Sequence, residues 1–72
     1  MEYVRVTFPT NRLVYIDDEE NGNTNEVLMV DAGTHIFALG NLYNFRPKSC
    51  KVTVQNTTVL EPLEIPFYRT DG

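Results

Sequence analysis

The sequence has a single cysteine, Cys50, and a single histidine, His35, in 72 residues. No disulfide can form within such a chain, and a zinc site with four protein ligands lacks its usual donors. There is no run of 18 apolar residues, so no membrane insertion is expected. The segment Met1–Thr10 has no signal-peptide pattern. Stability must therefore come from a well-packed apolar core or from burial against another chain.

Positive charge is also scarce. The chain has six basic and ten acidic residues, which gives a formal net charge of -4. Three of the six basic residues lie within the segment from Arg46 to Lys51. Nucleic-acid binding needs a dominant basic face that displaces counterions, so no nucleic-acid partner is expected. An acidic chain can instead act as an inhibitor of a basic partner protein, and the composition leaves that alternative open.

No stretch shows the 3.6-residue periodicity of a three-turn helix, whereas alternation of apolar and polar residues recurs along the chain. Alternation predicts six extended segments separated by turns, with Asn21-Gly22 as the tight turn of the polar segment Asp18–Asn25. We expect one all-β domain over residues 1–72, a small antiparallel β-sandwich of six to seven short strands or a small barrel, with 69–72 as a flexible tail. The predicted strands are Tyr3–Phe8, Arg12–Asp17, Glu26–Val30, Thr34–Leu39, Cys50–Gln55 and Val59–Phe67.

Alternation also predicts which side chains face inward. Since neighbouring residues of a strand point to opposite faces, each strand contributes one apolar set to the core. Pro62 and Pro66 remove ladder donors from the last strand, which suits an edge position. The predicted inward residues are Val4, Val6, Phe8, Val14, Ile16, Phe37, Leu39, Val52 and Val54.

The carboxylates Asp17–Glu20 form the densest charge cluster. Calcium needs several oxygens from one loop, but this spacing differs from a 12-residue calcium loop, and consecutive side chains point in different directions. We predict a solvated hairpin tip and no metal site or cofactor.

His35 and Cys50 are the residues with catalytic potential. A general base or a thiolate needs a partner within reach, with Asp31 and Cys50 as partners for His35, and Lys48 and Lys51 beside Cys50. We predict instead that His35 is half-buried, with its polar tip bonded to a backbone carbonyl or a turn side chain. Cys50 is predicted to be a small residue at the start of a strand, and the chain to have no catalytic residues.

The faces opposite the predicted core also carry apolar residues. Leu13 and Tyr15 lie on one strand, and Ile36 and Ala38 on another, so an apolar outer patch is expected. Such patches mark partner surfaces, although a loop could cover this one. The residues Leu13, Tyr15, Ile36 and Ala38 are the candidate partner-contact face.

Four short elements resemble the motifs of the PEGA domain family over residues 12–67. Val14–Asp17 resembles "V-x-I-D-G", Gly22–Asn25 resembles "G-x-T-P", Val30–His35 resembles "l-p-a-G-x-H", and Gly40–Tyr43 resembles "G-Y". The resemblance implies a prealbumin-like β-sandwich that acts as a non-enzymatic accessory module, often in envelope-associated proteins. It implies no catalytic residues. Because the free cysteine and the missing signal pattern favour the cytoplasm, the compartment stays open.

The function expected from the sequence is a protein-interaction module that binds another protein, or a second copy, through an exposed sheet face or edge. A carbohydrate-binding accessory domain is the alternative, although tryptophan is absent. Its candidate aromatic platform comprises Tyr15, Tyr43, Phe45 and Tyr68.

Overall fold

The computed structural model describes residues 1–40 and 44–70, and within them the chain forms strands and no helix. The prediction of a small all-β sandwich is confirmed. The strands are β1 (Glu2–Thr7), β2 (Leu13–Ile16), β3 (Glu19–Asn23), β4 (Val27–Val30), β5 (Gly33–Leu39), β6 (Phe45–Arg46), β7 (Cys50–Val54), β8 (Leu63–Pro66) and β9 (Tyr68–Arg69).

Two sheets form the sandwich. The three-stranded sheet has the order β4-β1-β8, and the four-stranded sheet has the order β3-β2-β5-β7. All pairs of the larger sheet are antiparallel, whereas β1 pairs with β4 antiparallel and with β8 parallel. The strands β6 and β9 form a separate two-stranded ribbon. The parallel pair arises because the chain leaves β7 in one sheet and returns to the other beside β1.

The core lies between the sheets and follows the predicted alternation. Eight of the nine predicted inward residues are buried, and the ninth, Val52, packs against the core at the edge. Leu28 and Val30 of β4 complete one edge, while Phe45, Ile65 and Phe67 fill the other regions. The predicted edge position of the proline-containing strand is confirmed, since β8 ends its sheet.

The hairpin turn is displaced from its predicted position. Asp17 and Asp18 form the turn, both with positive φ (54° and 68°), as a two-residue primed turn requires. Asn21-Gly22 lies inside β3, where the pairing with β2 shifts register. Gly22, with φ of 90°, packs so close to Leu28 that a Cβ would lie 2.6 Å from its Cδ2. Gly22 therefore allows the bulge and the close contact with Leu28, and the tight turn is formed by Asp17 and Asp18.

Three other predicted boundaries are wrong. The predicted strand Val59–Phe67 is ordered as a strand only over Leu63–Pro66, because residues 58–61 close a turn through the Glu61 N–H and the Thr58 carbonyl, 3.1 Å apart. Phe45, predicted in a loop, pairs with Arg69, predicted in the tail. A two-residue strand shows no alternation, so pattern reading could not find it. Residues 71–72 of that tail lie outside the described part.

Candidate functional site

The four residues of the candidate partner-contact face lie together on the outer face of the larger sheet. Leu13 and Tyr15 belong to β2, and Ile36 and Ala38 belong to the adjacent β5. Tyr15 stands directly opposite Ala38 in the antiparallel ladder. Ile36 is 45% exposed, and the other three are partly exposed. We call these four residues the outer patch.

The Tyr15 ring is held against the end of β5 by Gly40. A Cβ at Gly40 would lie 2.5 Å from Tyr15 Cε1, so only glycine leaves room for the ring in this position. The Gly40 N–H donates to the Leu13 carbonyl at 2.9 Å, which extends the pairing of the two strands by one step. In the outer patch, the Tyr15 ring therefore packs directly against the backbone of Gly40.

Polar residues surround the outer patch on the neighbouring strands. Lys51 of β7 stands opposite Ile36, and Glu20 of β3 stands opposite Tyr15. Beyond Ile36, the hydroxyls of Thr34 and Thr53 are 2.9 Å apart and hydrogen-bonded. An apolar centre with a polar, charged rim is the usual composition of a protein interface.

His35 lies on the opposite, inward face of β5, and both ring nitrogens are engaged. Nδ1 is 2.7 Å from Asp17 Oδ2, and Nε2 is 2.7 Å from the Asp31 carbonyl oxygen. Both partners are acceptors, so the ring satisfies them together only when both nitrogens carry protons. The prediction that this half-buried histidine bonds a backbone carbonyl or a turn side chain is confirmed, and the ring bonds one of each.

These bonds shift the pKa of both side chains. The hydrogen bond that His35 donates to Asp17, followed by the one it donates to the Asp31 carbonyl, raises the pKa of His35 above its ordinary 6.5. The bond from His35, followed by the Ile36 N–H that donates to Asp17 Oδ1 at 2.9 Å, lowers the pKa of Asp17. His35 thus links the turn between β2 and β3 to the connection between β4 and β5.

A groove of about 270 Å³ opens next to this pair, between the edges of β3 and β4. Its lining is mainly polar, with Asp17, Glu19, Asn21, Asp31 and His35 beside the apolar Met1, Ile16, Met29 and Val30. Within residues 1–40 and 44–70, no group of three or more histidine, cysteine or acidic side chains is arranged to hold a metal ion.

The two residues with catalytic potential are not brought into contact with each other. Cys50 begins β7, as predicted, opposite Phe37, and its half-buried side chain packs against the core. His35 stands opposite Val52 and uses its nitrogens for Asp17 and Asp31. In this arrangement, no ring nitrogen is left to accept a proton from a nucleophile.

The predicted aromatic platform does not assemble. Phe45 is only 6% exposed and packs edge-to-face on Phe67 with centroids 5.8 Å apart, so its assignment to a sugar-stacking surface is wrong. Tyr68 is 57% exposed but belongs to the two-stranded ribbon, whereas Tyr15 lies on the larger sheet. Tyr43 lies outside the described residues.

A polar network at the start of β2 was not predicted. Thr24 is fully buried; its hydroxyl accepts from the Arg12 N–H at 2.9 Å and donates to the Thr10 carbonyl at 2.8 Å. The Arg12 guanidinium lies over the rings of Phe8 and Phe45 and bonds Asn44 Oδ1 at 2.6 Å. Isolated polar residues between predicted strands carry no periodic signal, so sequence patterns did not identify this structural cluster.

Comparison of the chain with models of protein families, with curated proteins and with solved structures finds no match. The resemblance to the PEGA family therefore stays a prediction. In the described part of the chain, no helix could cross a bilayer.

Proposed function

We propose that this protein is a non-enzymatic interaction module that binds another protein through the outer patch. The observation that carries the proposal is the position of the four apolar side chains. They lie on the two central strands of the larger sheet and face away from the core, with Ile36 45% exposed. The larger sheet already buries an apolar set on its inner face, so the outer set is not needed for the core.

Two further observations support an interaction role. The rim of Lys51, Glu20 and the bonded threonines provides charges of both signs for orienting a partner. Both ring nitrogens of His35 are engaged by Asp17 and the Asp31 carbonyl, which supports a structural role for this histidine. The PEGA-like motifs agree with an accessory module.

Site-specific photo-crosslinking tests the proposal. A benzophenone side chain at position 36 is compared with the same group at position 60, because Leu60 is an apolar loop residue that is 89% exposed. We expect a discrete adduct at position 36, with another protein or a second copy, and none at position 60.

The adduct is then identified and its affinity measured with variants. Ile36→Lys should weaken binding by about tenfold or more, since a buried interface residue is replaced by a charge, while Leu60→Lys should leave binding unchanged. Equal crosslinking at both positions, together with monomeric light scattering, would contradict the proposal.

A carbohydrate-binding role is the second candidate, and the observation that favours it is the Tyr15 ring seated on Gly40 at the sheet surface. Such a ring can stack on a sugar face. A glycan array separates the two functions: hits that disappear with Tyr15→Ala support sugar binding, and an array without hits removes it.

A further inference from the structure

The four edge strands of the sandwich differ in how they resist pairing with another chain. An open edge is normally blocked by charge, proline or a bulge. β3 carries Glu19, Glu20 and the bulge at Gly22, β8 ends at Pro66, and β7 carries Lys51. β4, with the sequence VLMV, has none of these features, and its Met29 is 58% exposed.

The hydrogen-bonding groups of β4 that point away from β1 can be identified. The Thr7 carbonyl accepts from the Phe67 N–H at 2.9 Å, so the backbone groups of Thr7 point towards β8, as do those of Arg5 and Tyr3 by alternation along β1. The Tyr3 N–H accordingly donates to Thr57 Oγ1 at 2.7 Å and not to β4. Tyr3 and its partner Met29 therefore form a non-hydrogen-bonded pair, as do Arg5 and Val27 two residues along. The N–H and C=O groups of Val27 and Met29 then point to the open edge, where no described strand pairs with them.

The groove beside this edge has a definite chemistry. Met29 and Val30 belong to both the edge and the groove, and the rim carries Glu19 and Asp31. Asp17 is bonded to His35, but neither Glu19 nor Asp31 has a side-chain hydrogen bond to any residue that the structure describes. The protonated His35 ring in the same groove is paired with Asp17, so the exposed carboxylates of Glu19 and Asp31 leave the groove acidic. With the exposed Met29 beside them, these carboxylates suit a long side chain with an apolar stem and a cationic tip.

We propose that the edge of β4 accepts an extended basic peptide segment as an added strand, with a lysine or arginine side chain in the groove. Main-chain bonds to Val27 and Met29 would supply affinity, and the carboxylates of Glu19 and Asp31 would select the charge. A second copy of this chain fits less well, because it would bring another acidic groove and another net charge of -4 to the same edge. The open edge belongs to the smaller sheet, the groove lies between β3 and β4, and both are separate from the outer patch.

The test uses nuclear magnetic resonance titration of the full chain with the capped peptide Thr-Lys-Val-Lys-Val-Lys-Thr. We expect saturating shifts centred on the Val27 and Met29 amides. The same peptide with glutamate at each lysine should bind at least about tenfold more weakly. Glu19→Gln combined with Asp31→Asn should lower the affinity for the lysine peptide by about fivefold.

A proline variant tests the main-chain part. Met29→Pro removes an N–H that points to the open edge, which edge strands tolerate, and should abolish the shifts at β4. Val59→Pro is the matched control, because position 59 is the second residue of the Thr58–Glu61 turn, where proline is favoured. It should fold and bind like the parent.

Three results would overturn the proposal: no shifts at millimolar peptide, equal binding of the lysine and glutamate peptides, or shifts at β4 that depend on protein concentration alone. The last would assign the edge to a second copy. The outer-patch variant Ile36→Lys should bind the peptide normally, so this test and that of the proposed function fail independently.

Discussion

The two ends of β2 are held by different chemistry. At its start, the fully buried Thr24 hydroxyl joins the Arg12 N–H to the Thr10 carbonyl through two hydrogen bonds between uncharged groups. At its end, the Asp17 carboxylate, half exposed, binds His35. Buried neutral bonds depend on every partner being present, whereas an exposed ionic bond depends on protonation and salt. We therefore expect mutations to affect the first end more strongly, and pH the second.

Removing the Thr24 hydroxyl should have the largest effect. Thr24→Val keeps the shape but leaves the Arg12 N–H and the Thr10 carbonyl without this partner, which should lower the free energy of unfolding by about 2–3 kcal/mol. Chemical denaturation measures the change. Thr24→Ser, which keeps the hydroxyl and loses one methyl group, should cost only about 1 kcal/mol. Equal stability of the two variants would contradict the importance of the network.

Asn25 should have the next largest effect, because it combines backbone and side-chain roles. It has φ of 65°, and its amide bonds the N–H and the carbonyl of Phe8 at 3.3 and 2.9 Å. Asn25→Ala should destabilise by about 1.5 kcal/mol through strain and lost bonds. Asn25→Gly should cost less in the same denaturation experiment, since glycine accepts positive φ. If Asn25→Gly were less stable than Asn25→Ala, the positive φ of position 25 would not determine the loss of stability.

The opposite end should respond to pH. Since the pKa of His35 is raised, its stabilising contribution is complete below about 6.5 and is lost as pH rises through the folded-state value. Since the pKa of Asp17 is lowered, its contribution is present above about 3.8 and is lost as pH falls through the folded-state value. The pair should stabilise most between these limits.

The measurement is the melting temperature across pH 4 to 9, relative to His35→Gln. The difference in melting temperature between the two proteins should shrink as the solution becomes alkaline. When both proteins also carry Asp17→Asn, most of that difference should be absent at every pH. Parallel curves for the parent and His35→Gln would mean that the contact contributes nothing.

Calcium should have the smallest effect. Both oxygens of Asp17 accept hydrogen bonds, and Glu19 and Glu20 alternate between the faces of β3. Millimolar calcium should therefore leave the melting temperature unchanged, with magnesium as the control ion. A clear increase with calcium alone would establish a metal site at the hairpin tip.

The core and the outer patch could be predicted because alternation is local. Val4, Val6 and Phe8 face inward for the same reason that Ile36 faces outward: successive strand residues change face. Asn21-Gly22 was predicted as the turn because the same residue types also occur in bulges, and here they form a bulge in β3. The close contact that requires glycine at position 22 is with Leu28 of another strand, which the local sequence does not indicate.

Partners distant in the chain could not be predicted. Nothing near His35 in sequence indicates which turn side chain it will meet, since Asp17 is 18 residues away. The parallel pairing of β1 with β8 and the burial of Phe45 likewise depend on tertiary contacts. Pattern reading finds strands and faces, but the contacts that build the groove and the open edge arise from the assembled sandwich.

The position of β1 has a consequence for the order in which the molecule can assemble. The four strands of the larger sheet all lie between Leu13 and Val54, a stretch that also contains β4 of the smaller sheet. The central strand of the smaller sheet, β1, precedes these strands in the chain, yet its second neighbour, β8, begins only at Leu63. During synthesis one side of β1 therefore stays unpaired until β8 has left the ribosome. The β1–β8 pair also closes the longest loop between paired strands. Forming this last pair of the smaller sheet therefore has the largest loop-closure entropy cost.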